Sequence, residues 1–372
     1  MVSRSCLCVL GLVVCLIGGA MSERRNITTS RQKRLFSLFN IVTFENEACT
    51  TTGAGNLIGT CLTSTECADM RGSPSGNCAA GFGVCCLFDV AGDCSTEQTI
   101  SQNCTYIRNN GFPSADMTPS ETCTYNFNRI DNNLCQIRLD FDMLISLSSA
   151  EGACGTANDA ITVTSPFSPS ANAFPPTVCG TLSGQHMYFE TGTTGTAGAL
   201  TIAKGTTAGN RIFQIKVTYY NCNNLAKAPA SCTQYFTGES GSFQSYNFEG
   251  NQLLQNMNYN NCFRQEEGFC RLQISEATAM TPDPFLLSDD GDGDVAVKAT
   301  VLDCATVSYV AFTTPTNTMF CGENLSSKAG DTIPGALTSA PGDSFLVGLR
   351  TVGTTLAGYT GFNLNYKQVA CP

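Results

Sequence analysis

Twenty-two of the 372 residues are cysteine, and from Cys94 onward they form two series that run in the same order. Cys94, Cys123, Cys135, Cys154, Cys179 and Cys222 make the first; Cys232, Cys262, Cys270, Cys304, Cys321 and Cys371 make the second. The opening gap is 29 residues in one and 30 in the other, and the steps Cys179-Gly180 and Cys321-Gly322 repeat. The stretch from Cys123 to Cys154 has a degenerate copy starting at Cys262, so this part of the chain reads as a duplicated domain. Disulfides persist in secreted proteins and are rare in the reducing cytosol, which makes so many cysteines a statement about compartment. A third group, Cys49, Cys61, Cys67, Cys78, Cys85 and Cys86, precedes the repeat in a stretch too short and too rich in glycine to bury much core, so crosslinks must stabilise it. Zinc is the competing use for such a group, but the paired short knuckles of an all-cysteine zinc site are missing.

Within the repeat, Ile137, Leu139, Phe141 and Met143 alternate with Arg138, Asp140 and Asp142, and Ile215, Val217 and Tyr219 alternate with Lys216 and Thr218. That is the period of a strand with one buried face. Turn-forming Gly, Ser, Thr, Asn and Pro separate such runs, and no helical stripe is sustained. The fold class expected is all-β, with two tandem antiparallel sandwiches of residues 93–222 and 232–372 behind a small disulfide-rich module of residues 35–92. The nine residues between Cys222 and Cys232, NNLAKAPAS, are few enough to bring the two sandwiches into contact.

At the N-terminus, Arg4 precedes an apolar run from Cys6 to Ile17, and Gly18-Gly19-Ala20 supplies small residues, the pattern of a signal peptide over 1–20. The run is short for a membrane span, and no later stretch is apolar for about 20 residues. Residues 21–34 read as a propeptide, because Arg31-Gln32-Lys33-Arg34 has the spacing that furin-like convertases cleave after Arg34. Losing residues 1–34 takes the formal charge from −10 to −15. A chain so acidic is poorly suited to nucleic acid or an anionic membrane.

Several runs carry a resemblance. The segments NCTYIRNNGFP at Asn103, CTYNF at Cys123, CQIRLDF at Cys135, VCGTLSGQHMYFE at Val178, CTQYFTG at Cys232 and GFNLNY at Gly361 resemble CUB domains, in the two-domain arrangement of secreted arthropod proteins. The six cysteines ahead of them, with the adjacent Cys85-Cys86, resemble the clip module of such proteins. The clip resemblance implies pairs Cys49–Cys85, Cys61–Cys78 and Cys67–Cys86. The CUB resemblance implies a jelly-roll sandwich with Cys94–Cys123, Cys154–Cys179, Cys232–Cys262 and Cys304–Cys321. The repeat suggests one further bridge per domain, Cys135–Cys222 and Cys270–Cys371. Nineteen cysteines follow residue 34, so one has no partner among them; Cys104 is expected as a free thiol or an intermolecular disulfide, with a Cys104–Cys135 pair as the competing arrangement.

Many CUB domains bind calcium through a Glu before the third cysteine and an Asp three residues after it. Here Leu147 stands at the Glu position, Asp159 lies five residues beyond Cys154, and Val307 takes the Asp position after Cys304, so the usual calcium site is expected to be missing. No cofactor is implied. Asp290, Asp292 and Asp294 alternate with glycine as in a calcium loop but lack the closing Glu, and a solvated hairpin tip is the better reading.

Catalysis has little support. The one histidine, His186, sits in a strand pattern, and Ser344 in Gly342-Asp343-Ser344-Phe345 lacks the glycine of a protease nucleophile, so His186 reads as a structural or surface residue and no triad is expected. Asn103 and Asn324 head glycosylation sequons. The function expected is a secreted, non-enzymatic binding protein that offers sandwich loops, such as Ser165 to Pro176, Thr191 to Gly209 and Leu287 to Asp294, to an extracellular protein or glycan. The alternatives are a regulator of an extracellular clip-type protease cascade and a crosslinked matrix or cuticle component.

Overall fold

The computed structural model describes residues 43–44, 46–53, 55–92, 94–166, 175–192, 195–278, 282–288, 304, 306–327 and 333–371. The chain divides into two compact units, Met1–Leu87 and Phe88–Pro372. The expected signal peptide, the expected cleavage site at Arg34 and the run Asp290, Asp292, Asp294 lie outside the described residues.

In the first unit, strands β1 (Ala48–Thr50), β2 (Ile58–Leu62), β3 (Ser73–Cys78) and β4 (Gly83–Gly92) surround one helix, α1 (Ser64–Asp69). The β2 strand pairs antiparallel with β1 and with the first half of β4, and β3 lies on the other side of β4. So short a helix needs help at its start. Thr63 and Glu66 supply it, for the Thr63 Oγ1 accepts from Glu66 N–H and Glu66 Oε2 accepts from Thr63 N–H at 3.0 Å. Bridges Cys49–Cys85, Cys61–Cys78 and Cys67–Cys86 hold helix and sheet together.

The second unit holds two sandwiches. The first contains β5 (Gln98–Ile100), β6 (Thr105–Asn109), β7 (Thr122–Phe127), β8 (Leu134–Ile145), β9 (Ala160–Thr164), β10 (His186–Glu190), β11 (Gly198–Ala203) and β12 (Ile212–Asn221). One sheet runs β6-β12-β8-β10 and the facing one β5-β7-β11-β9. The second sandwich contains β13 (Gln234–Phe236), β14 (Ser240–Gln244), β15 (Asn258–Phe263), β16 (Phe269–Glu276), β17 (Phe285–Leu286), β18 (Tyr309–Ala311), β19 (Met319–Phe320), β20 (Leu337–Thr338), β21 (Leu346–Arg350) and β22 (Gly361–Ala370). Its sheets run β14-β22-β16-β20 and β13-β15-β21-β18-β19. The all-β tandem with a disulfide-rich module ahead of it is therefore the fold observed.

The sequence division at residue 92 and the structural one at Leu87 differ because β4 runs through both, its last five residues pairing parallel with β6. The expected alternation in β8 holds through Phe141 and then slips. A bulge at Asp142 shifts the pairing with β12, so Leu144 is buried and Met143 is only half-buried. The stretch Thr191 to Gly209, expected as a loop, contains β11, which lies between β7 and β9 and buries Leu200 and Ile202. Its Gly- and Thr-rich flanks resemble a turn in composition, but the alternation inside is that of a strand.

Among the described residues, three bridges join cysteine pairs within each sandwich. Cys94–Cys123, Cys135–Cys222 and Cys154–Cys179 lie in the first; Cys232–Cys262, Cys270–Cys371 and Cys304–Cys321 lie in the second. Cys104 is disulfide-bonded and buried, so the expectation of a free thiol is corrected. With Cys135 bonded to Cys222, the Cys104–Cys135 pair is excluded as well.

The two sandwiches share one contiguous apolar core, from Ile100 through Tyr219 and on from Phe243 to Tyr366. A smaller aromatic cluster of Tyr188, Tyr220 and Tyr235 with Ala228 sits under the linker. The linker is pinned where Gln136 exchanges hydrogen bonds with Ala228, donating from Nε2 to the carbonyl at 3.1 Å and accepting the amide at Oε1 at 2.8 Å. Backbone meets backbone across the joint: Tyr188 N–H donates to Thr233 O at 2.7 Å, Gln255 N–H to Gly152 O at 2.8 Å, and Leu356 N–H to Glu151 O at 3.0 Å. The approach is so close that a Cβ on Gly152 would lie 2.1 Å from Leu253 O, and one on Gly180 would lie 1.9 Å from Asn247 Oδ1.

Candidate functional site

Three places bring chemistry-bearing side chains together. At the loop end of the first sandwich, Asp159 directly precedes β9 and Arg211 directly precedes β12, and both are buried. The Arg211 Nε donates to both Asp159 oxygens, at 3.0 and 2.9 Å, and its Nη2 donates to Oδ1 at 2.8 Å. Backbone amides of Gly205 and Leu147 complete the set at 2.8 and 2.7 Å. A carboxylate this deep needs a counter-charge and filled lone pairs, and both come from protein groups. Asp159, five residues after Cys154, is thus held by a guanidinium.

Beside it, Lys204 is the second internal cation. Its ammonium, nearly sealed from solvent, is held by Asp116 and by Glu121, the latter at 2.8 Å. Burial acts to raise the Asp116 carboxyl, but Lys204 and the Thr118 N–H outweigh it and hold the group below the ordinary carboxylate range. One ammonium against two carboxylates leaves an acidic surplus. Asp116 and Glu121 line a cleft of about 540 Å³ with Gly92, Ser95, Asn110 and the exposed Met117.

The second sandwich has a smaller cleft, of about 410 Å³, between Glu276, Asp283, Asn324, Pro334 and Ala336. Glu276 ends β16 on the side that carries the buried Leu272 and Ile274. Its Oε1 accepts the Leu325 N–H at 2.5 Å. Burial, helped by nearby Asp283 and opposed by that amide, raises its carboxyl to about 7. Asp283 turns one oxygen to the Phe285 amide at 3.1 Å. Carboxyl oxygens next to proline and alanine walls can take a cationic or hydrogen-bond-donating group with an apolar stem.

His186 is at neither cleft. It opens β10 at the joint, 7% exposed, with its Nε2 accepting the Tyr235 N–H at 2.8 Å and its carbonyl accepting the Tyr246 hydroxyl at 2.8 Å. Burial, and then the charge of Arg138, hold the imidazole well below its ordinary range. Among the described residues no serine is hydrogen-bonded to its ring. Ser344 belongs to the loop between β20 and β21, where Asp343 Oδ2 caps the Ala340 amide.

The other expected residues are scattered. Asn103 is half-buried, its Oδ1 accepting from Cys104 N–H and from Tyr219 N–H. Asn324 lines the smaller cleft. Leu147 contributes an amide to Asp159, and Val307 is half-buried ahead of β18. Of the expected loops, Ser165 and Pro166, Pro175 and Pro176, and Leu287 and Ser288 are described, and the rest of the first and third lie outside the described residues. Among the described residues no three acidic, histidine or cysteine side chains gather as for a metal, and no helix is long and apolar enough to cross a membrane.

Arg211, Lys204 and Glu276 were not picked out from sequence, although the cysteine repeat holds a signal for two of them. Glu276 follows Cys270 by as many residues as Phe141 follows Cys135, and Arg211 precedes Cys222 by as many as Thr360 precedes Cys371. Counting from the repeated cysteines thus sets a carboxylate against a core phenylalanine and an arginine against a threonine.

Comparison with known proteins agrees with this architecture. Residues 229–369 match the family described as the animal CUB domain. Solved structures that resemble the chain include the CUB1-EGF-CUB2 domains of rat MASP-1, at 15% identity over 73% of this chain and 100% of that one, with a TM-score of 0.26. The same domains of human MASP-1/3 match at 16% identity over 72% of this chain and 100% of theirs, with a TM-score of 0.25. Likenesses at that level carry no argument about arrangement or partners. No curated protein matches the chain. Over residues 229–369, then, the second sandwich is similar to an animal CUB domain.

Proposed function

We propose that the protein is a secreted, non-enzymatic recognition protein whose paired sandwiches present their loop ends to an extracellular protein or glycan. The observation that carries this reading is the joint: a shared core, backbone hydrogen bonds and two side-chain-free glycines fix the sandwiches as one platform. Rigid scaffolds with loops at their ends are suited to recognition, because little entropy is lost on binding. The nine disulfides between described cysteines and a CUB domain support an extracellular setting. Both clefts are lined by carboxylates, which favours a partner offering basic or hydrogen-bond-donating groups. The clip-like module keeps the protease-cascade regulator as second reading, favoured by its three interleaved bridges. The burial of Cys104 weighs against the crosslinked-matrix reading.

The test is affinity capture from extracellular fluid with the oxidised full chain as bait, beside a Glu121→Gln, Glu276→Gln double variant. A retained protein or glycan that binds the double variant more weakly supports the reading. Retention of nothing, or of material indifferent to both clefts and to calcium chelation, overturns it.

A further inference from the structure

The protein's one histidine lies at the joint between the two sandwiches, on the edge strand of the first, where it is hydrogen-bonded to the first strand of the second. We propose that His186 makes this joint an acid-sensitive latch: a proton taken from solvent at Nε2 removes the acceptor of the Tyr235 N–H and frees β13 from β10.

The geometry leaves protonation no easy accommodation. Nε2 faces an amide N–H at 2.8 Å, so a proton there sets donor against donor. The ring is wedged between aromatic neighbours, with Phe236 at 5.1 Å and Tyr188 at 5.6 Å between centroids, so it cannot turn to water without parting the strands. Its carbonyl holds Tyr246 of the second sandwich, and the Tyr188 N–H next along β10 holds Thr233 O. One imidazole therefore sits amid three of the hydrogen bonds that close the joint.

The surrounding groups do not soften the effect. From β8, Arg138 and Asp140 face the ring as an ion pair, with the guanidinium also 5.3 Å over the Tyr188 ring. Arg138 keeps its positive charge at any working pH and opposes a second one. From β10, β12, β13 and the segment after β14 come Tyr188, Tyr220, Tyr235 and Tyr246, all pushed up by burial and so neutral in acid. The Arg264–Glu266 ion pair acts on Tyr235 from beyond. Among these types of group only imidazole ordinarily changes charge between pH 5 and 8.

The sign is fixed. The imidazole's pKa lies below its ordinary 6.5 when the joint is closed and returns toward that value when it opens. The open form binds the extra proton, so closure is complete above about pH 6.5 and is lost as pH falls below it, by at most about tenfold per pH unit for one proton.

Hydrogen exchange at the Tyr188 and Tyr235 amides, corrected for intrinsic rate, together with the proton resonance of the single imidazole, tests this on the oxidised full chain between pH 7.5 and 4.5. The wild type is expected to lose at least tenfold of its protection at both amides, with the midpoint at which the imidazole titrates. The His186→Gln variant keeps an acceptor that does not titrate, and is expected to change less than about twofold. Should Gln not fold, His186→Asn replaces it, and the shared midpoint in the wild type decides alone. An imidazole that does not titrate by pH 4.5, one that titrates while both amides stay protected, or a Gln variant that opens like the wild type overturns the proposal.

Discussion

The two sandwiches share strand order and cysteine order, yet they treat the same places in opposite ways. Directly before the last strand the first has Arg211, buried against Asp159, while the second has Thr360, whose hydroxyl donates to Asp283 O at 3.1 Å. At the position where β8 and β16 face matched residues of the last strand, Ile215 and Leu364, the first has the buried Phe141 and the second has Glu276. At these matched places the first sandwich is filled by protein charge and aromatic packing, and the second is left with a carboxyl in a cleft. Duplication keeps the register because bridges and core demand it. The sandwich ends are bound by neither constraint, and there the copies diverge.

The largest expected effect comes from breaking the buried ion pair. Arg211→Ala would leave the buried Asp159 carboxylate without its counter-charge, and removing one partner of a buried pair costs about 3 to 5 kcal/mol. Thr360→Ala at the matched position loses one neutral hydrogen bond, worth about 1 kcal/mol. Denaturant midpoints of the oxidised variants measure both. If the two costs came out equal, Arg211 would not be the counter-charge that the first sandwich depends on.

Next in size is a pair that separates backbone strain from the joint. Gly180 and Gly184 both have left-handed φ, of 90° and 81°, so an alanine strains the backbone alike at either position. A Cβ at Gly184 meets nothing within 4 Å, whereas one at Gly180 runs into Asn247 across the joint. Gly180→Ala is therefore expected to cost about 1 to 2 kcal/mol more than Gly184→Ala, the usual cost of overpacking, and to increase proteolytic cutting within the linker at Leu225, which is 94% exposed. Equal losses and an unchanged cutting rate would leave the joint without the tight fit ascribed to it.

The sequence made the fold legible wherever a strand has one wet face. Ile215, Val217 and Tyr219 alternate and are buried as that pattern predicts. It misled where local geometry broke the period, as at the Asp142 bulge, and where turn-like composition hid β11. His186 illustrates another blind spot: His186, Met187, Tyr188 and Phe189 are all buried, because the core covers one face of β10 and the second sandwich covers the other. A strand dry on both faces shows no alternation, and a polar residue within it carries no mark of which neighbour will cover it. The ion pairs were harder still, since Asp159 and Arg211 stand far apart in the chain and meet only through the sheet connections.

Glu276 gives the smallest effect and the sharpest contrast with Phe141. Its carboxyl sits near 7 against an ordinary 4.5, so between those values the folded chain holds a proton that the unfolded chain has released. Stability is accordingly highest for this group below about pH 4.5, declines as pH rises to 7, and is level above that. Glu276→Gln removes the titration and leaves an oxygen for the Leu325 amide. The variant is expected to match the wild type at pH 4.5 and to exceed it at pH 8 by about 1 kcal/mol, a figure reduced for the solvent that reaches a half-buried group. Thermal melting at the two pH values measures the gap. A gap of the opposite sign would mean that Glu276 gains a stabilising partner once ionised, and this place in the second sandwich would then be filled by charge in the manner of the first.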